Sequence, residues 1–414
     1  MNSQATRQDG ARLIRWLTCL MFFTFAMTTD AVGSVIPRII AEYRLSMTAA
    51  GAFQYATMLG IGAGALLLGF LADRIGRRAT IMIGLALYGA SSLAVLFIGQ
   101  FPLLVALLAI SGLGVSVFKT AALALIGEVT TSSLAHTRLM NTVEGFFAVG
   151  AIAGPAIVTV LVGAGVSWRW LYVFAAVICL GLTVMAGALR SPPPRTSVER
   201  ASVAQMLVIL RDPLALGFSL LVALYVAVEV AIYVWMPTYL SSYQGPIVWL
   251  QAWALTVFFV LRAVGRFLGV WLLDHVRWTI ALVVLGALIF ACFLGSLLGG
   301  LGVGVFLLPL SGLFMSIVYP TLNSKAISCF PKHRHGAAAG VILFFTATAA
   351  AVGPLAMAAV SDAWQDPRAG FVLATAFALA LLVGLLLNAL LDPARVRLQR
   401  ADESPATATV SSSR

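Results

Sequence analysis

The sequence predicts an all-α membrane protein, with twelve transmembrane helices arranged as two pseudo-symmetric six-helix bundles. Three observations lead there. Of 414 residues, 61% are hydrophobic and only 10% charged, whereas a soluble domain carries roughly a quarter charged residues. Apolar stretches of about 20 residues, each able to cross a hydrocarbon layer of about 30 Å, recur along the chain. The second half also repeats landmarks of the first at an offset of about 200 residues.

Hydropathy places the helices at 13–37, 47–72, 79–98, 102–127, 139–163 and 168–189, then at 214–240, 247–272, 278–299, 300–324, 336–360 and 369–391. The first stretch is too long for the apolar core of a secretion signal and lacks an evident small-residue cleavage site, so it is expected to persist as a helix. Ser191-Pro192-Pro193-Pro194-Arg195 cannot continue a helix and marks a linker. The expected organisation is an N-terminal bundle over 1–189, a cytoplasmic linker over 190–212, a C-terminal bundle over 213–392 and a disordered cytoplasmic tail over 393–414.

Basic residues orient these helices. With the N-terminus inside, the outer segments hold Arg38, Arg44, Arg169 and Arg368, and Lys119, Arg262 and Arg266 fall within helices. That leaves 19 of the 26 Lys and Arg on the cytoplasmic side. Such a bias predicts both termini inside and an even number of crossings. The net charge of +11 is then a topology signal facing anionic lipid rather than a nucleic-acid footprint.

The repeat is read residue by residue. Ser111-Gly112-Leu113 returns as Ser311-Gly312-Leu313, and Ser116 as Ser316. Asp30 corresponds to Glu229, Pro37 to Pro237, Asp73 to Asp274, Gly154-Pro155 to Gly353-Pro354, and Arg169 to Arg368. Parallel six-helix repeats suit two bundles that rock about a central site.

Between the second and third helices stands Gly69-Phe70-Leu71-Ala72-Asp73-Arg74-Ile75-Gly76-Arg77-Arg78. Here Gly69 permits close helix approach, Gly76 provides the turn, and the arginines hold the loop in the cytoplasm. This run resembles the loop signature of the major facilitator superfamily, G-x-L-x-D-R-x-G-R-R/K, at every defined position. The resemblance implies the twelve-helix major facilitator fold and a latch of the outward-facing state formed by Gly69, Asp73, Arg74, Gly76 and Arg77. A degenerate copy runs from Gly265 to Asp274. In the fifth helix, Gly150 to Pro155 resembles the GxxxGP core of the family's antiporter motif, which favours export. Leu108 stands where drug–proton antiporters of the family carry an arginine. The segment Tyr225 to Pro237 is similar to the seventh helix of the fucose–galactose–glucose proton symporters, although those place an acid near Lys119.

Six ionisable residues fall within helices: Asp30, Lys119, Glu144, Glu229, Arg262 and Arg266. Each is costly in the membrane and therefore a candidate for function, with structural ion pairing as the plain alternative. Burial favours the protonated form of a carboxylate and a nearby cation the ionised one. A group alternating between these surroundings loads and releases a proton. Asp30 and Glu229, with Glu144 third, are the candidates for proton coupling. Lys119 and Arg262, with Tyr225, Tyr319 and Asn323, are the candidates for holding substrate.

Other chemistries lack their residues. The four histidines are expected in loops, the four cysteines are isolated, and neither a phosphate-binding loop nor a nucleophile elbow is present. No enzyme activity, metal or cofactor is expected. The resemblance implies a monomeric, multi-pass inner-membrane transporter whose partners are protons, membrane lipid and a small-molecule substrate. Export of a small polar metabolite, anionic or siderophore-like, is the first expectation. Inward sugar–proton symport is the second, and a non-transporting sensor that keeps the fold is the third.

Overall fold

The computed structural model describes residues 2–68, 71–129, 133–189, 208–331 and 334–399. The chain divides into two compact units, Met1–Val198 and Glu199–Arg414.

Unit 1 contains α1 (Asn2–Thr29), α2 (Val32–Tyr43), α3 (Met47–Leu68), the single turn α4 (Leu71–Arg74), α5 (Arg77–Ala94), α6 (Phe101–Val129), α7 (Ser133–Gly163) and α8 (Trp170–Gly187). Unit 2 contains α9 (Pro213–Leu240), α10 (Val248–His275), α11 (Trp278–Met315), α12 (Val318–Ser328), α13 (His335–Trp364) and α14 (Pro367–Leu391). Asp212-Pro213 and Asp366-Pro367 start α9 and α14 in the same way. The aspartate accepts the first free amides, Leu214 N at 2.9 Å and Arg368 N at 2.8 Å, and the proline stands where no amide is needed.

Nine stretches among the described residues are long and apolar enough to cross a membrane. One of them, Trp278–Ser328, is 51 residues long and covers the ninth and tenth expected helices. Within α11 the chain reverses at Gly300, whose φ of 66° and ψ of −165° are accessible only to glycine. The first expected helix, by contrast, is broken at Asp30-Ala31 into α1 and α2. Residues 393–399, expected to be unstructured, leave α14 through a turn, and 395–399 are helical. Arg397 anchors this turn through Asp212 at 2.7 Å and lies over the Phe330 ring.

The packing order recurs in the two units. In unit 1, α1 packs on α7, α3 on α6 and α5 on α8. In unit 2, α9 packs on α13, α10 on α11 and α11 on α14. Glycines set these contacts. A side chain at Gly112 would meet the carbonyl of Thr57 on α3, and one at Gly312 the carbonyl of Phe258 on α10. Gly64 abuts Ser116 and Leu113, while Gly265 abuts Ser316 and Leu313. The repeated letters are thus repeated contacts, of the small-residue kind that lipid-embedded helices favour.

The outward faces suit lipid. On α8, Ala175, Cys179, Leu182 and Ala186 are buried, while Val177, Leu180 and Val184 are 63%, 69% and 71% exposed. An apolar stripe this open would be a liability in water and is ordinary in hydrocarbon. All four cysteines are buried free thiols.

Candidate functional site

Each unit holds a cluster of ionisable and aromatic side chains around the residues expected to function. In unit 1, Lys119 on α6 is partly buried, and its ammonium lies 4.7 Å from the ring centre of Phe25 and 5.4 Å from that of Phe22, both on α1. Aromatic faces attract a cation, the more so where water is withdrawn. Lys119 also feels the charges of Glu144 on α7 and Asp30 at the break between α1 and α2. The helix contacts α1–α6, α1–α7 and α6–α7 bring these elements together. Beside them, Thr28 and the buried Tyr88 share a hydrogen bond of 2.6 Å, and the Tyr88 ring leans on Phe118.

In unit 2, Glu229 on α9 is 7% exposed and forms an ion pair with Arg262 on α10. Tyr225 stands one helical turn before Glu229. Its hydroxyl lies 2.8 Å from the Met315 carbonyl and 3.1 Å from Glu229 Oε1. A phenol has a single hydrogen to give, so these two acceptors compete for it. Tyr319 on α12 sets its ring centre 6.3 Å from that of Tyr225, and Asn323 lies one turn further on the same face. Arg266, one turn beyond Arg262, acts electrostatically on Tyr225.

The structure therefore groups Asp30, Glu144 and Lys119 within unit 1, and Tyr225, Glu229, Arg262 and Tyr319 within unit 2. The loop motif is described only in part. Gly69 and the side chain of Asp73 lie outside the described residues. Arg74 is exposed, Arg77 is buried at the start of α5, and Gly76 adopts a φ of 85° that favours glycine.

Sequence reasoning missed Phe22, Phe25, Thr28, Tyr88 and the Met315 carbonyl. The first two had a signal: aromatics three residues apart, on one face of the helix that leads to Asp30. The Met315 carbonyl had none, because a backbone acceptor is identified only by the helix end that exposes it.

Comparison with known proteins supplies the family. The model of the Major Facilitator Superfamily matches residues 18–354 and 250–412. The chain belongs to the major facilitator superfamily. The relatives it matches are named as transporters, and its described helices include stretches long and apolar enough to cross a membrane.

The multidrug transporter MdfA of Yersinia pestis is 29% identical over 211 residues, which are 49% of this chain and 50% of that protein. This chain thus spans half the length of that relative. The 3-(3-hydroxy-phenyl)propionate transporter of Escherichia coli is 28% identical over 315 residues, 72% of this chain and 73% of that one. Among solved structures, a bacterial homolog of the human lysosomal transporter Spinster, inward-facing and occupied, superposes with a TM-score of 0.70 at 15% identity. It covers 96% of this chain and 97% of its own. The E. coli fucose:proton symporter FucP gives 0.61 at 21% identity, over 92% and 98%. These last two likenesses concern the fold.

Proposed function

We propose that this transporter couples proton movement to export of a small organic anion, with aromatic carboxylates as the class to test first. One observation carries the reading: a lysine in a membrane helix set over two phenylalanine rings, in a unit that also supplies the carboxylates Asp30 and Glu144. A ring-bearing carboxylate pairs with the charge of Lys119, and it stacks on Phe22 or Phe25 once helix movement uncovers these rings, which are buried in this conformation. Relatives named for hydroxyphenylpropionate and 4-hydroxybenzoate support the class. Export is favoured by the GxxxGP segment of α7.

Glu229 is the coupling carboxylate in this scheme, within twelve crossings whose ends both face the cytoplasm. While Glu229 is ionised, Arg262 holds it and Tyr225 divides its hydrogen between Glu229 and Met315. A protonated Glu229 releases Arg262, donates to the phenol oxygen and leaves the Tyr225 hydrogen wholly to Met315. Met315 closes α11, so protonation of Glu229 alters the hydrogen bond made at the junction of α11 and α12. Asp30 plays the corresponding part beside Lys119, and the loop around Gly76 latches one of the alternating states.

The test is flux of 4-hydroxybenzoate and 3-phenylpropionate into inverted membrane vesicles with an imposed proton gradient. Accumulation driven by the gradient, lost in Lys119→Gln, is the expected result. Uptake only in right-side-out vesicles establishes inward symport instead. Gradient-driven movement of sugars with none of aromatic acids refutes the anion reading.

A further inference from the structure

Away from both clusters, unit 2 holds a cavity of about 690 Å³ where α9 begins, α12 ends and the chain beyond α14 returns. Its walls combine two surfaces. Ile209, Pro213, Phe330 and Pro331 give it an apolar side. Arg211, Arg334 and Arg397 give it a cationic side, against the single acid Asp212 among the lining residues. Asp212 is already engaged: Oδ1 accepts the amides of Leu214 and Ala215, and Oδ2 accepts Arg397 at 2.7 Å. Arg397 is thereby neutralised and rests over the Phe330 ring. The charge of Arg211 and Arg334, both exposed, is left without an acid in the lining.

We propose that this cavity binds the phosphate of an anionic phospholipid. Two guanidiniums present paired N–H donors that match phosphate oxygens. The site lies at the ends of membrane helices, at the depth where headgroups sit, and juxtamembrane arginines draw anionic lipid. The apolar wall beside the cationic one accepts the start of an acyl chain, which free phosphate lacks. The lipid joins the start of α9, the end of α12 and the turn beyond α14, which Arg397 already links through Asp212 and the Phe330 ring.

Native mass spectrometry of the full-length protein in detergent tests this, because it reads bound lipid on the folded species alone. Phosphatidylglycerol, phosphatidylcholine and inorganic phosphate are titrated separately. The wild type is expected to retain phosphatidylglycerol at least tenfold better than phosphatidylcholine, and R211Q/R334Q to lose that preference. R211K/R334K, which keeps both charges but loses the paired donors, is expected to retain it in part. R38Q/R44Q, which removes two exposed arginines from unit 1 and lowers net charge equally, retains it in full. Inorganic phosphate that stabilises the wild type but not R211Q/R334Q, with phosphatidylglycerol bound no better than phosphatidylcholine, assigns the same phosphate chemistry to a soluble ligand. Equal retention of phosphatidylglycerol by wild type and R211Q/R334Q, with no response to phosphate, overturns the proposal. Since neither arginine belongs to the Lys119 or Glu229 clusters, that result leaves the reading of cargo and coupling untouched.

Discussion

Glu229 is buried and Arg262 largely so, and that fixes what each replacement does. Removing one member of a buried pair strands the other charge and typically costs about 3–5 kcal/mol. Arg262→Gln is therefore expected to lower the detergent melting temperature sharply, while R262Q/E229Q recovers most of the loss without restoring transport. A double variant no more stable than R262Q counts against the pairing. Glu229→Gln alone retains a neutral group of similar shape. Like R262Q it is expected to lose stability, because Arg262 loses its carboxylate, and among folded molecules to cut gradient-driven flux by roughly tenfold or more, a barrier change of about 1.4 kcal/mol. Gradient-driven flux in E229Q at the wild-type rate excludes Glu229 as the coupling group. Tyr225→Phe separates positioning from bulk. It removes the hydrogen shared by Met315 and Glu229 at about 1 kcal/mol of stability and is expected to displace the pH profile of transport. An unchanged profile with lowered stability makes Tyr225 purely structural. The acids and bases of both clusters were legible in the sequence, because charge inside an apolar run is conspicuous. The aromatic floor beneath Lys119 was not, since phenylalanine inside an apolar run looks like any packing residue.

Helices here meet through glycine, and the two units use corresponding positions to do so. At Gly312 an added methyl would run into the Phe258 carbonyl, whereas at Gly217 on α9 nothing lies within 4 Å. Gly312→Ala must separate α10 from α11 and is expected to cost about 1–3 kcal/mol. Gly217→Ala is expected to be neutral or to stabilise by about 0.5–1 kcal/mol, through the lower backbone entropy of alanine in a helix. Thermal unfolding of the two variants side by side is the check. Equal melting temperatures would mean that the close approach at Gly312 is not what holds this pair of helices together. Most elements were legible because spanning lipid needs both length and apolarity, and few soluble segments offer both. The interruption at Asp30-Ala31 was hidden for the opposite reason. Apolarity continues across it, so hydropathy registers a single helix where the backbone makes two. Gly300 was an easier case, because an expected boundary already fell beside it.

At the scale of the whole chain, repetition was the most legible property, since corresponding residues make corresponding contacts in each unit. The contacts that close unit 2 at its polar end were much less so. Arg397 and Asp212 are 185 residues apart, and nothing in the letters around either points to the other. Their pairing predicts how stability responds to acid. Partial burial pushes the Asp212 carboxyl up, but the Arg397 guanidinium and the Leu214 and Ala215 amides pull it down further. The net result lies below the ordinary value of 3.8. A carboxylate whose folded value lies below its unfolded one stabilises the fold above the unfolded value, and that contribution is lost as pH falls through the folded one. Wild-type protein should thus exceed Asp212→Asn in melting temperature at neutral pH and at pH 5, with the gap closing below about pH 4. Asparagine still caps α9, so the gap isolates the ion pair, which at this exposure is worth about 1 kcal/mol or less. Because Arg397 follows the last membrane helix, ending the chain after Leu391 should abolish the same gap. A gap that survives that deletion would show Asp212 acting through its cap alone, and the turn beyond α14 would then have no part in closing the unit.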